Sequence, residues 1–285
     1  MTGPAARFLA PYAVGTTLLV LIPALLTLGY AFTDHTGIAS PGFNGLDNLR
    51  RLWADPLFLA SVQASAFHVA VAVPLRLLTA TAVGLLLAAP RSGGRWYRTA
   101  VYLPTVVPDV ALALLFLWLL NPVYGPLNQL LGAAGLSGPN WLSSPWGARV
   151  AVIMLLAFPI GEAFVVVVAT RRHIDGRLYE AAALDGCGRW KALRRITLPL
   201  LAPVLVLLAV RDTAFVLHAS FVPAYLLTDG GPDNATLYLP LYIFDQSFEF
   251  FGFGYGAMLT LVLLGFTVLL VALQVALVRR WRVLR

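Results

Sequence analysis

Glu180-Ala181-Ala182-Ala183-Leu184-Asp185-Gly186, with Ile196-Thr197-Leu198-Pro199 after it, is a polar island between two apolar runs. Those runs, roughly 149–170 and 199–227, each reach the about 20 apolar residues needed to cross a bilayer. Within the island, Leu178, Ala181 and Ala182 fall on one face at helical spacing, flanked by Ala183 and Leu184, while Glu180 projects from another. Gly186 and Gly188 are placed to end that helix. Trp190, Leu193 and Ile196/Thr197 then recur on one face, against Arg189, Lys191, Arg194 and Arg195 on the other. Pro199 is expected to open the next apolar run, because a helix tolerates proline in its first turn. The stretch predicts a helix–turn–helix on the membrane face, presenting one acid and a knob of small residues. Small residues permit close approach of another surface, so the island reads as a docking site for a soluble partner.

Composition places the island in a membrane protein. The chain is 59% hydrophobic and 12% charged, with mean hydropathy +0.81; soluble domains carry about 25% charged residues. The 24 glycines and 19 prolines agree with this, since both are commoner in transmembrane helices than in soluble ones. The single cysteine, Cys187, rules out an internal disulfide and is a poor metal site; it reads as a small residue at a helix break. No metal-ligand cluster stands out. A net charge of +7 suggests nucleic acid in a soluble protein, but here the basic residues sit in short loops and report membrane orientation, so no nucleic-acid partner is expected. The first run, Phe8 to Phe32, is too long for the core of a cleavable signal peptide.

Six stretches predict transmembrane helices: about 8–32, 58–89, 100–120, 149–170, 199–227 and 255–278. Unbroken apolar runs exclude a membrane barrel, whose strands alternate. Arg91, Arg95 and Arg98 follow the second span, seven basic residues from Arg171 to Arg195 follow the fourth, and Arg279, Arg280, Arg282 and Arg285 end the chain. The loop 228–254 has no Lys or Arg and carries Asp229, Asp233, Asp245 and Glu249. The positive-inside rule therefore puts both termini and the Glu180 stretch in the cytoplasm of a multi-pass protein. On the other side, Leu46 to Trp53 is amphipathic, Trp141 and Trp146 suit the membrane interface, and Thr228-Asp229-Gly230-Gly231-Pro232 signals a turn. The aromatic run from Tyr238 to Phe253 reads as an interfacial helix. There is no internal repeat. The expected division is 1–57 as an N-terminal span and outer loop, 58–280 as the transmembrane core, and 281–285 as a basic tail.

Ionisable groups inside spans cost about 2.5–3.5 kcal/mol on insertion scales, so each is a functional candidate. Glu162 in the fourth span either lines a path or forms a structural pair. Arg211 and Asp212 are neighbours that do not share a helix face, which predicts pairing across helices. Arg76 reads as interfacial if the second span extends past the bilayer, and Asp109, after Pro108, as a residue at a kink. His68 and His218 predict packing with one hydrogen bond each. Near the outer end of the fifth span, Phe221 and Tyr225 flank Pro223, expected to break the helix. Broken helices line midplane sites in transporters, so Glu162, Asp212, Phe221 and Tyr225 are the candidates for a substrate path, with aromatic rings suited to a sugar.

Glu180-Ala181-Ala182, Gly186, Ile196 and Leu198-Pro199, at these spacings, resemble the signature loop of the permease subunits of bacterial ABC importers. Leu103-Pro104 with Pro108, Trp118, Asn121-Pro122, Gly125 and Asn128, Leu227 to Pro232 with Thr236, and Gly254-Tyr255-Gly256-Ala257 are similar to the carbohydrate-uptake branch. The resemblance spans about residues 57–275. It implies a type I importer permease, all-α with six spans and cytoplasmic coupling helices between spans four and five (about 171–198). Glu180, Ala181, Ala182, Gly186, Ile196, Leu198 and Pro199 would then form the contact with a cytoplasmic ATPase. It implies as partners a second, homologous permease, two ATPase subunits and an extracytoplasmic binding protein, in a bacterial inner membrane. The family's mild segment before the loop is replaced here by Thr170-Arg171-Arg172-His173-Ile174-Asp175, and Val222 and Phe158 stand where an aspartate and a tryptophan are common.

No G-x-x-x-x-G-K-[ST] occurs, so this chain does not cradle ATP phosphates. No nucleophile–base signature marks it as an enzyme. ATP and Mg are expected on the partner ATPase and no cofactor on this chain. The expected role is a permease for a sugar or related polyol by alternating access. Alternatives are a glycerol-phosphate-like anion or a peptide as solute, or an ion-coupled secondary transporter using Glu162 or Asp212.

Overall fold

Apolar runs fold into helices because, in lipid, each backbone amide must find its partner within its own segment. The computed structural model describes residues 4–37, 40–89 and 93–280. Among them the secondary structure is helical, apart from one isolated bridge between Thr33 and Phe43. Four helices are long and apolar enough to cross a membrane: α1 (Phe8–Tyr30), α3 (Pro56–Ala88), α10 (Arg189–Thr228) and α12 (Phe253–Val278). Two further spans are bent pairs, α4 (Gly94–Val106) with α5 (Asp109–Leu119) at 98°, and α7 (Pro145–Ala157) with α8 (Gly161–His173) at 49°. Counting each pair once gives the expected six. The shorter helices are α2 (Asp47–Ala54), α6 (Pro126–Ala133), α9 (Gly176–Leu184) and α11 (Leu239–Phe244). Arg91 and the tail 281–285 lie outside the described residues, as do the side chains of Arg279 and Arg280.

The bend before Asp109 is the kink expected after Pro108, whereas the break at Pro159 departs from the continuous fourth span that the apolar run predicts; proline is the reason for both. Pro108 biases Val107 to extended backbone, and Val107 takes φ −70°, ψ 129°. Pro159 has no amide to offer Leu155, and the amide of Ile160 turns to the carbonyl of Phe158 at 3.0 Å, which frees the carbonyl of Leu156. Within α10 proline does not break the helix. The expected break at Pro223 is absent, since α10 continues to Thr228, and no separate helix opens at Pro199, since α10 begins at Arg189. A proline ring crowds the carbonyl four residues back. A wide turn over Leu193–Thr197, with the amide of Leu198 reaching the carbonyl of Leu193, precedes Pro199. The same wide turn over Thr17–Leu21 precedes Pro23 in α1. Such insertions accommodate proline within a helix.

The described residues form two compact units. One comprises Met1–Ala60 with Leu239–Phe266, the other Ser61–Tyr238 with Thr267–Arg285. In the first, Asn48 on α2 caps the end of α1, donating to the carbonyls of Ala31 at 2.8 Å and Thr33 at 2.9 Å. Asp55 caps the start of α3 by accepting from the amides of Leu57 at 3.0 Å and Phe58 at 3.3 Å. Its carboxylate also accepts the phenols of Tyr242 and, at 2.6 Å, Tyr255. Arg51 donates to Gln246 at 3.1 Å and lies over the Tyr255 ring. Gly254 and Gly256 are required by close approach, because a Cβ would strike the Thr33 carbonyl at one and Ser247 at the other.

In the second unit α3 buries a stripe of mostly small residues, Ala64, His68, Ala72, Arg76, Ala80, Gly84 and Ala88, one face at four-residue spacing. Ala80 packs in a core with Ile160, Ala163, Phe164, Val167, Val168 and Leu208. At Gly84 a Cβ would come within 2.7 Å of Val167. The last carbonyls of α3 are capped by arginine: Arg98 donates to Leu87 at 2.8 Å and Arg172 to Ala88 at 3.5 Å. The turn after Thr228 is folded as expected, with positive φ at Asp229 and Gly230, and buried Thr236 donates to the Gly231 carbonyl at 3.0 Å.

Candidate functional site

The segment between α8 and α10 is built by its caps. Asp175 accepts from the amide of Arg177 at 3.0 Å and starts α9. At the other end Gly186 takes φ +71°. Its amide bonds to Ala183 at 3.0 Å and the amide of Cys187 to Ala182 at 2.8 Å. This is the paired closure of a Schellman motif, which favours glycine at the left-handed position. Gly188 is extended and starts α10. Glu180, Ala181 and Gly186 are exposed, Ala182 is half-buried, and Leu184 is 90% exposed. Trp190 and Leu178 are exposed as well. On α10, Ile196 is half-buried while Leu198 and Pro199 are exposed.

Two contacts hold α9 to its neighbours. The hydroxyl of Tyr179 meets that of Thr197 at 2.9 Å, and Arg171 lies 4.2 Å over the Tyr179 ring. The sequence that departs from the family pattern therefore has structural tasks: Arg171 stacks on α9, Arg172 caps α3, and Asp175 starts α9.

The second constellation is a chain of charges inside the spans. Glu162 in the first turn of α8 pairs with Arg211 of α10. Arg211 Nη1 also reaches Asp212 Oδ1 at 2.9 Å. The other oxygen, Oδ2, accepts from Arg76 Nε at 3.1 Å. Arg76 Nη1 ends the chain at 2.7 Å on the carbonyl of Leu156, the one freed by Pro159. Both guanidiniums face the ring of Phe215, at 4.9 and 5.2 Å. Arg76 and Asp212 are buried, whereas the Glu162 and Arg211 side chains are 47% and 39% exposed.

Arg76, on the 33 residues of α3, is buried inside the unit, and its ion pair and carbonyl bond satisfy it there. Arg211 and Asp212 do pair across helices as expected, but the flexible Arg211 side chain also bends back to its neighbour. Asp109 opens α5 just after the bend and is exposed. His218 has its single bond, to the Ala214 carbonyl at 2.8 Å. His68 is packed on Tyr238 with ring centroids 4.6 Å apart, but neither ring nitrogen has a hydrogen-bond partner among the described residues.

The structure brings Glu162 and Asp212 together through Arg211, and stacks Phe221 on Tyr225 with centroids 5.7 Å apart. Phe221 lies nine residues past Asp212 on the same helix, about 13.5 Å at 1.5 Å per residue. Tyr225 is 40% exposed. Sequence reasoning missed the contact between the two broken spans, where the amide of Gly161 donates to Thr105 Oγ1 at 2.9 Å. The prolines beside both residues were the available signal.

Residues 80–283 match the family model described as binding-protein-dependent transport system inner membrane component. The chain is 32% identical over 276 residues to the lactose transport system permease protein LacF of Rhizobium radiobacter, covering 94% of this chain and 91% of that one. It is 30% identical over 266 residues to the probable ABC transporter permease protein YesP of Bacillus subtilis, covering 90% and 84%. A crystal structure of a bacterial alginate ABC transporter, in complex with an alginate pentasaccharide-bound periplasmic protein, contains a chain of the same fold. Its TM-score is 0.81 at 22% identity, with 97% of this chain and 94% of that chain covered.

Proposed function

This chain belongs to the family of binding-protein-dependent transport system inner membrane components, and we propose that it is one permease subunit of an ATP-driven importer for a neutral sugar or related polyol. The observation that carries the reading is the capped helix α9, which holds Glu180, Ala181 and Gly186 exposed beside Leu178, Leu184 and Trp190. An exposed apolar knob outside the spans, next to an acid, suits the cleft of a soluble partner, here a cytoplasmic ATPase. Both termini then lie in the cytoplasm, a second permease completes the membrane channel, two ATPases dock below and a binding protein delivers solute from outside.

ATP-driven closure of the ATPases moves α9, and the spans reorient between outward and inward access. ATP and Mg stay on the ATPase. This chain contributes position and no bond chemistry. The sugar reading is supported by the relative named for lactose transport, and neutrality by the charges inside the spans. Glu162, Arg211, Asp212 and Arg76 alternate in sign and sum to zero, leaving no unpaired cation there for an anionic solute. The stacked pair Phe221 and Tyr225 offers a ring surface of the kind sugars stack on.

The test is uptake into liposomes by the chain assembled with its partner permease, ATPase and binding protein. ATP-dependent uptake of a neutral saccharide is expected. Preference for a phosphorylated or carboxylated solute, or uptake driven by a pH gradient without the ATPase, would overturn the reading.

A further inference from the structure

We infer that the charge chain from Glu162 to Arg76 is a splint across the bend between α7 and α8, and that Glu162 and Arg211 are positioning residues for coupling; the inference rests on the ATPase-docking reading above. The splint grips both sides of the break. Before the bend it holds the carbonyl of Leu156 through Arg76; after the bend it holds Glu162 through Arg211. The middle of the chain, Asp212, belongs to neither half and lies on α10.

The coupling segment hangs between α8 and α10. A push on α9 can be taken up in two ways. Either α8 swings at Pro159, where the helix lacks its normal amide bonds, or α7, α8 and α10 move together. Near α9 the stems are joined by Tyr179 and Thr197, and midway by the packing of Phe164 and Val168 with Leu208. At the far end, where the hinge sits, Ile160 and Ala163 belong to the same core as Leu208, and the ion pair of Glu162 and Arg211 adds a polar connection across to α10. Glu162 is the second residue of α8, so removing its charge loosens the first turn of the helix at the point of the bend, leaving it the packing of Ile160 and Ala163 and the bond from Gly161 to Thr105. More of the push is then absorbed in the hinge and less reaches α7 and α3.

The splint predicts a defect in coupling without a defect in solute affinity. The experiment uses the complete transporter in liposomes and measures solute moved per ATP hydrolysed, together with the KM for solute. Glu162→Ala is expected to lower that ratio about tenfold, with binding-protein-stimulated ATP hydrolysis retained and KM unchanged. Glu162→Asp, which restores a carboxylate, is expected to recover most of the ratio. Glu162→Gln, which keeps the shape and an acceptor oxygen without the charge, is expected to fall between. A wild-type ratio in Glu162→Ala overturns the splint; if that variant does not assemble, a wild-type ratio in Glu162→Gln overturns it. A raised KM with an unchanged ratio overturns it as well, and makes Glu162 a solute contact. Failure of the wild-type assembly to transport any saccharide would count against the proposed function instead.

Discussion

Arg76 and Asp212, 136 residues apart in the chain, meet at 3.1 Å with their side chains 2% and 0% exposed. Each is satisfied on more than one side: Arg76 by the Leu156 carbonyl and the Phe215 ring, Asp212 by Arg211. Desolvating two charges is costly, so such a pair contributes little net stability; losing one partner, in contrast, strands the other. Asp212→Leu and Arg76→Met are each expected to cost about 3–5 kcal/mol. The double variant Arg76→Met/Asp212→Leu is expected to recover most of that. Thermal unfolding of the detergent-solubilised chain reads all three, and additive losses in the double variant would contradict the pairing.

Glu180→Lys places a cation on the exposed face of α9, and Gly186→Pro cannot adopt the φ of +71° that closes the helix. Both are expected to abolish co-purification with the ATPase while leaving the membrane spans folded. Gly186→Ala is milder, since a left-handed alanine costs about 1–2 kcal/mol, and should weaken co-purification without ending it. Normal ATPase retention in both severe variants would remove α9 from the docking surface.

Thr105→Val removes the acceptor for the amide of Gly161 and keeps the volume. A buried amide left unsatisfied costs about 1–3 kcal/mol, so the unfolding midpoint should fall by a matching amount. Thr105→Ser keeps the hydroxyl and should stay close to wild type. Equal midpoints for the valine and serine variants would mean that the bond carries no stability.

Burial alone would raise the Asp55 carboxyl, but the phenols of Tyr242 and Tyr255 and the amides of Phe58 and Leu57 outweigh it and lower the group below its ordinary 3.8. Burial, then the bond to Asp55, raises the Tyr242 phenol, which therefore stays protonated and donating through neutral pH. A lowered carboxyl stabilises the fold fully above its unfolded value and loses that contribution as pH falls through the folded one. The unfolding midpoint should therefore be insensitive to Asp55 at neutral pH and drop below about 3.8. In Asp55→Asn that part of the acid dependence should vanish; an unchanged acid profile would assign it elsewhere.

The sequence made some of this legible and hid the rest for definable reasons. The spans follow from unbroken apolar runs, and the end of α9 from Gly186, because both signals are local. The charge chain is not local. The 33 residues of α3 exceed a bilayer's need, so length leaves the depth of Arg76 open, and its partner is 136 residues away. Nothing in the sequence around Asp55 marks it, because the two phenols it accepts come with α11 and α12 from 187 and 200 residues on. Proline misleads in both directions. Pro159 sits at a sharp bend inside a run that reads as continuous. Pro199 and Pro223 read as a helix start and a helix break, yet α10 passes through both. What decides is whether neighbouring turns can widen or a side chain from another helix can take up the freed groups, and a single segment carries no record of that.

The bond from Gly161 to Thr105 joins one broken span to the other at the point where each is broken. Straightening the α7–α8 span would draw its amide away from the hydroxyl, and unbending the α4–α5 span would draw the hydroxyl away from the amide. A change of shape at either bend therefore costs this bond, about 1–3 kcal/mol, unless the other bend follows it.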